Sequence, residues 1–191
     1  MARILRSVDY VARPWKNGGG TTRDIAVSPP GASLDTFGWR LSLAQVDRDG
    51  PFSRFDNVDR TIVLLSGAMT LHERGRRTDL VRNEPFAFAG ERAIEATVAS
   101  GSTLDFNVMT RRARASHTAR RESFSKQAHV ETRAGSTVVL FALERGLMVD
   151  GEQLEVHDTA IIAAQRISVA TAADCAAALV IEIVDIHPNV L

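Results

Sequence analysis

The chain has 191 residues, 45% of them hydrophobic and 24% charged, with 23 basic side chains balanced by 23 acidic ones. That length supports one large domain or two small ones with a real core, and the composition excludes a disordered or collagen-like chain. Zero net charge excludes the overall positive field of a dedicated nucleic-acid binder, so any electrostatic recognition is local.

The opening stretch "MARILRSVDYVARPW" is interrupted by Arg3, Arg6, Asp9 and Arg13 and lacks the apolar centre of a secretory signal. No apolar run approaches the roughly 20 residues of a membrane span. Cys175 is the only cysteine, which rules out an internal disulfide and favours a reducing compartment; its expected role is that of a small buried apolar residue. The expected location is the cytoplasm, with no membrane partner.

Residues 14–24, "PWKNGGGTTRD", come next. A phosphate-gripping Walker loop places its lysine after the glycines, whereas Lys16 precedes them, and no helix follows to complete a dinucleotide fingerprint. Two readings stay open. In one, Asn17-Gly18 makes a tight turn and the backbone N–H groups of Gly18 and Gly19 converge on an anion, flanked by Lys16 and Arg23. In the other, the glycines form a bulge that lets two strands cross closely. Only Lys16 and Lys126 are lysines among the basic residues, so Lys16 stands out in a chain rich in arginine.

"WRLSLAQV" alternates with period two, Trp39, Leu41 and Leu43 on one face and Arg40, Ser42 and Ala44 on the other, which predicts a half-buried strand. "TLDFNVMTRR" does the same, separating Leu104, Phe106 and Val108 from Asp105, Asn107, Met109 and Arg111. If the polar faces line an interior, Arg40, Ser42, Asn107 and Arg111 offer guanidinium, hydroxyl and amide groups to a small polar ligand. The basic run "TRRARASHTARRE", residues 110–122, carries no interleaved aromatic residue and predicts a solvated connection, which makes nucleic acid an unlikely partner. "STVVLFAL" and "LVIEIVDI" add β-branched strands, and "TAADCAAA", residues 171–178, is compatible with a short helical turn.

An internal repeat organises these strands. Thr61–Phe88 and Thr137–Ile162 each open with threonine and an aliphatic strand, pass a turn, and reach a leucine followed by a polar pair, Asn83-Glu84 in one and His157-Asp158 in the other. Two β-units of one design follow. The predicted organisation is an N-terminal lobe over 1–112, a polar connection over 113–134 and a C-terminal lobe over 135–191, forming an antiparallel all-β sandwich or barrel with little helix. Edge strands of such sheets leave a homodimer open, although no interface residue can be named.

Four segments, "PWKNGGGTTRDIAVSP", "GWRLSLAQVDRDGPFSRFDNVDRTIVLLSG", "PFAFAGE" and "LDFNVMTRR", together resemble the HutD/Ves family from about residue 3 to residue 112. The resemblance implies a double-lobed cupin, and HutD members are associated with bacterial histidine utilisation while Ves members are linked to stress and cold response. Cupin enzymes hold a metal through histidine, any residue, histidine, three or four residues, glutamate, six residues and glycine. Aligning that glycine with Gly67 puts Arg60 in the glutamate position and "SRFD" near the histidines, so no metal and no other cofactor are expected. Arg60 there either grips an anion or pairs with Asp59 or Asp56 at a strand end. Trp15, Trp39, Phe52 and Phe55 are candidates to wall the pocket against a planar group, with plain core packing the alternative.

No nucleophile or acid-base set assembles, so catalytic residues are not assigned. The expected ligand is a small carboxylate metabolite, which the resemblance narrows to an intermediate of histidine breakdown such as urocanate, N-formylglutamate or formiminoglutamate. A cupin-type lyase or isomerase of the same pathway and an interaction module of a stress or regulatory system are the alternatives.

Overall fold

Period-two alternation and β-branched runs make strands, and residues that tolerate left-handed backbone end them. Arg74 and Gly75 (φ 46° and 79°) close one two-residue hairpin, while Asp150 and Gly151 (φ 50° and 84°) close another. The structure is a computed structural model that describes residues 1–99, 101–125, 128–163, 166–171 and 175–186. Among these, the only helical element is a 3₁₀ turn at Ser7–Asp9.

The chain divides into two units, Val11–Arg114 and Met1–Tyr10 with Ala115 onward. The first unit holds β2 (Ala12–Pro14), β3 (Gly20–Ser28), β4 (Trp39–Val46), β5 (Gly50–Pro51), β6 (Val58–Ser66), β7 (Met69–Glu73), β8 (Arg76–Asp79), β9 (Pro85–Ala89), β10 (Glu95–Val98) and β11 (Thr103–Arg111). A six-stranded sheet runs β2-β3-β4-β11-β6-β9, and a four-stranded sheet runs β5-β10-β7-β8. Val46, Ile62, Leu64 and Phe88 from the first sheet pack with Met69, Leu71 and Ala96 from the second.

The second unit holds β1 (Arg3–Leu5), β12 (Ala115–Phe124), β13 (Ala128–Glu131), β14 (Ser136–Ala142), β15 (Leu147–Val149), β16 (Glu152–Leu154), β17 (Thr159–Ala163), β18 (Arg166–Thr171) and β19 (Ala176–Asp185). Its sheets run β1-β17-β14-β19-β12 and β13-β18-β15-β16. Strand for strand, β4 to β11 of the first unit recur as β12 to β19 with the same neighbours. The repeat in the sequence is therefore a duplication of a whole eight-stranded pattern. Even its irregular corner recurs: Asn83 (φ 63°) donates its N–H to Leu64 O at 2.8 Å, and His157 (φ 71°) donates its N–H to Ala142 O at 2.8 Å.

The structure differs from the sequence reading in three places. Residues 1–10 belong with the second unit, because β1 pairs with β17 and Tyr10 Oη donates to Thr159 Oγ1 at 2.9 Å. Arg6 and the Ser7 N–H both bind Asp158, at 2.9 and 2.7 Å. The supposed polar connection contains β12, paired over ten residues with β19, so its polar run, including the exposed Arg120 and Arg121, belongs to a strand. Finally, residues 176–178 open β19, residues 172–174 lie outside the described ones, and Cys175 is exposed.

One glycine in the first unit is fixed by close approach. A Cβ on Gly20 would meet Gln45 O at 2.1 Å and Trp15 Cζ3 at 3.2 Å, whereas one on Gly50 would meet nothing within 4 Å. We expect Gly20→Ala to destabilise the protein by about 1–3 kcal/mol through backbone displacement, and Gly50→Ala to change stability by less than about 0.5 kcal/mol. Urea unfolding of both variants checks this; equal midpoints would contradict the close approach.

Candidate functional site

The inner face of the six-stranded sheet carries a cavity of about 810 Å³, lined wholly by residues of the first unit. A volume of that size falls in the range of small-molecule sites. Strand register arranges its wall in rungs. Met109 of β11 lies beside Arg40 of β4 and Arg60 of β6, Asn107 beside Ser42 and Ile62, and Asp105 beside Ala44 and Leu64. Neighbouring rungs on one face are about 7 Å apart. On β3, Thr22 and Asp24 continue the rungs of Ala44 and Ser42, and an irregularity between Asp24 and Ala26 shifts the register so that Val27 continues the rung of Arg40.

The polar faces of β4 and β11 thus point inward, not to water. Leu41, Leu43, Phe106 and Val108 on the opposite face are buried as well, so these strands are covered on both sides and are not half-exposed.

Arg60 is the centre of the site. It is only 9% exposed, and its guanidinium lies 5.0 Å from the ring of Phe88, 5.5 Å from Phe52 and 5.6 Å from Phe55. Nη1 donates to Ser53 O at 3.1 Å and Nη2 to Asn107 Oδ1 at 2.8 Å, while Nε has no partner. Asn107 turns its other edge to Asp105, donating Nδ2 to Oδ1. Asp105 is 1% exposed and its Oδ2 has no partner. Burial pushes the Asp105 carboxyl up to about 7, against the opposing pull of Arg60 and of the Asn107 hydrogen bond. Burial also brings the Arg60 guanidinium down to about 10; Asp105 opposes that shift and Arg40 reinforces it.

Arg40 binds Asp24, and Arg13 lies 3.6 Å from the other oxygen of the same carboxylate. Trp15 donates Nε1 to Thr22 Oγ1 at 2.7 Å, which holds the indole at the cavity. Lys16 lines the cavity and is exposed. Four cations, Arg13, Lys16, Arg40 and Arg60, therefore face two carboxylates, Asp24 and Asp105.

Of the residues singled out in the sequence, Trp15, Lys16, Asn17, Arg40, Ser42, Arg60 and Asn107 come together here, with Phe52 and Phe55. Five do not line the cavity, Trp39 among them. Gly18 N–H is bound to Trp15 O at 3.0 Å and Gly19 N–H to Asn17 Oδ1 at 3.0 Å, so the glycine loop is a turn between β2 and β3 whose donors are already engaged. Arg23 sits between Thr22 and Asp24 on β3, where alternation turns it away from the lining. Arg111 grips Phe37 O at 3.2 Å and Leu34 O at 3.4 Å and lies 5.1 Å from the Phe37 ring. It fixes a loop whose residues Gly31–Leu34 do line the cavity, and so acts through that loop.

Sequence reasoning missed Arg13, Asp24 and Asp105. Asp105 was legible only as the polar side of an alternating strand. Of the two readings of Arg60, the pairing with Asp59 or Asp56 is not what the structure has: Arg60 binds Ser53 O and Asn107 Oδ1, and Asp59 is held by Arg112 at 2.8 Å. A cupin metal would have to bind here through Arg60, Asn107 and a carboxylate facing a guanidinium. A guanidinium offers no lone pair, and no group of three or more His, Cys, Asp or Glu side chains suited to a metal occurs among the described residues. The donor set does not fit a metal.

Among the described residues of the second unit, the corresponding face carries Val138, Leu140, Ala142, Ala178 and Val180, packed with Phe124, Leu147 and Leu154; by register Ser136 and Glu182 stand where the first unit has Arg60 and Asn107, and Val180 where it has Asp105.

Comparison with known proteins agrees with this architecture. A family model described as HutD matches residues 7–180. An uncharacterised 21.2 kDa protein in the hutC 3′ region of Pseudomonas putida is 39% identical over 142 residues, 73% of each chain. Protein Ves of Citrobacter koseri is 43% identical over 103 residues, so the match spans about half of each, 52% of this chain and 53% of that protein. The solved structure of HutD from Pseudomonas fluorescens SBW25 is 31% identical and superposes with a TM-score of 0.82, covering 97% of this chain and 99% of that one. A cupin 2 conserved barrel domain protein from Leptotrichia buccalis, at 9% identity, shares the fold with a TM-score of 0.63 over 95% of this chain and 96% of its own.

The raised Asp105 carboxyl makes a signed prediction. Below pH 4 the group is protonated in both folded and unfolded chains; from about 4 to 7 the unfolded chain ionises first, so stability falls as pH rises, and above 7 the loss is complete. A shift from 3.8 to about 7 corresponds to a loss on the order of 4 kcal/mol. Asp105→Asn should therefore gain stability relative to the parent between pH 4 and 7. Urea unfolding across that range, with a pH-independent difference as the contrary result, tests it.

Proposed function

The chain belongs to the HutD family, and on that premise we propose that the first unit binds a small carboxylate-bearing metabolite in the cavity around Arg60. The observation that carries this reading is the convergence of Arg13, Lys16, Arg40 and Arg60 on one pocket walled by Trp15, Phe52 and Phe55. Arginine and lysine grip carboxylates by charge-assisted hydrogen bonds, and aromatic walls cover a planar body. Asn17, Ser42 and Asn107 supply neutral hydrogen bonds.

The name of the Pseudomonas putida relative ties the family to the histidine-utilisation locus. That supports an intermediate of histidine breakdown: urocanate, with its planar imidazole and carboxylate, or N-formylglutamate or formiminoglutamate, with two carboxylates and a planar N-substituent. The protein then reports on the level of its ligand. Recognition works without a metal, because a guanidinium stands at the expected glutamate position and supplies positive charge itself.

Calorimetric titration and thermal shift with urocanate and N-formylglutamate test the reading. Ligand at 100 times its dissociation constant should stabilise the protein by about 2.7 kcal/mol. Lys16→Ala, at an exposed position, should weaken binding roughly tenfold with unchanged stability. No heat and no shift with either compound at millimolar concentration would reject the proposal.

A further inference from the structure

Among the described residues, eight strands stand at the ends of the four sheets. Seven of them are five residues long or shorter, and β2, β5 and β9 carry a proline as well, Pro14, Pro51 and Pro85. Short strands and prolines blunt an edge against pairing with another chain. The eighth edge, β12, has neither protection: it runs for ten residues, contains no proline, and keeps one uninterrupted register with β19.

The hydrogen-bond pattern shows which groups this edge presents. On β19, Asp185 N–H donates to Gly135 O at 3.0 Å and Ala177 O accepts from Leu143 N–H at 3.0 Å, so the odd-numbered residues of β19 turn to the β14 side. The even-numbered ones turn to β12. Across that register Arg120 and Glu122 bond towards Val180 and Ala178, whereas Ala119, Arg121 and Ser123 turn N–H and C=O outward. In the first copy of the duplicated pattern that direction is occupied. With Thr61 aligned on Thr137, register carries Leu43 onto Ala119 and Gln45 onto Arg121, and β3 pairs with Leu43 and Gln45 through Arg23 and Thr21. No strand among the described residues takes that place beside β12.

Charge selects the partner. Arg120 and Glu122 share one face of β12 and lie 2.8 Å apart at their charged ends. A strand carrying this pair is complementary to itself when a copy runs antiparallel about Arg121, because Arg120 of each copy then stands opposite Glu122 of the other. Those positions are the non-hydrogen-bonded pairs, where opposite residues approach to a Cα separation of about 4.5 Å. We infer that β12 is a homotypic interface, to which the β12 edge of a second copy of this chain adds antiparallel about Arg121. Ala119, Arg121 and Ser123 complete the ladder, and the reciprocal Arg120 and Glu122 pairs fix its register. The two-fold arrangement uses the same strand in both copies and leaves neither with that edge open. Its unfavourable element is at the axis, where Arg121 faces its own copy.

Sedimentation equilibrium on the full chain, from micromolar to submillimolar protein, tests the inference. The wild-type protein should pass from the 20.8 kDa monomer to a dimer, and hydrogen exchange at the amides of Ala119, Arg121 and Ser123 should slow as it does. Glu122→Arg and Arg120→Glu should each weaken the dimer about tenfold or more, while the double exchange should restore it to within about threefold of wild type. Arg121→Thr should tighten it by removing the like charges at the axis. Arg121→Pro deletes an outward N–H and leaves the β19 bonds in place, so it should abolish the dimer with the circular dichroism of the folded chain retained. A wild-type protein that stays monomeric across the range would overturn the inference, since the edge would then be open only to an extended segment of a different chain. A dimer that the charge exchanges and Arg121→Pro leave untouched would overturn it too, by placing the contact on another surface.

Discussion

The first unit is organised around one buried guanidinium. Removing a charge of that kind from water is costly, and the surroundings of Arg60 offset it piece by piece: three aromatic rings around it, a backbone carbonyl at Ser53 and the amide of Asn107. Asn107 in turn engages Asp105, so a cation on β6 is tied through β11 to an acid one rung further along the same strand. Each group is placed by strand register, which a single-residue slip would turn to the opposite face. The cavity is thus defined by the sheet itself, and the loops contribute its rim.

The duplicated pattern is filled differently in its two copies. Eight strands recur with identical pairing, down to the left-handed corner at Asn83 and His157, yet by register the second copy holds Ser136 in place of Arg60 and Val180 in place of Asp105. An apolar interior packs closed and gains burial; a polar interior forgoes part of that gain and keeps space. Among the described residues, the first unit keeps a polar cavity and the second a largely apolar cluster.

Much of this was legible in the sequence, and the failures share a cause. The strands, the repeat and the arginine at the cupin glutamate position follow from periodicity and spacing, which are local. Whether Arg40, Ser42 and Asn107 face water or a cavity depends on what lies opposite, and alternation is the same in both cases. The polar run of β12 shows the reverse error, since a strand with many exposed polar residues reads like a connection. Gly18 and Gly19 suggested an anion nest because their N–H groups are visible in the sequence, but the internal acceptors Trp15 O and Asn17 Oδ1 are not visible as such. Asp105 carried no signal beyond being polar in an alternating strand; its significance lies in two atoms without partners.

The first strand of the chain, Arg3–Leu5, pairs with Thr159–Ile161, and Asp158 gathers Arg6 and Ser7 beside it. During synthesis the N-terminal segment therefore emerges more than a hundred residues before its partner exists, while the Val11–Arg114 unit has all of its strands in hand. Vectorial folding would let the Val11–Arg114 unit form first while the leading segment waits for β17. Its pairing sets Arg3–Leu5 in the same sheet as Ala176–Asp185, so the earliest and latest strands of the described chain share one sheet.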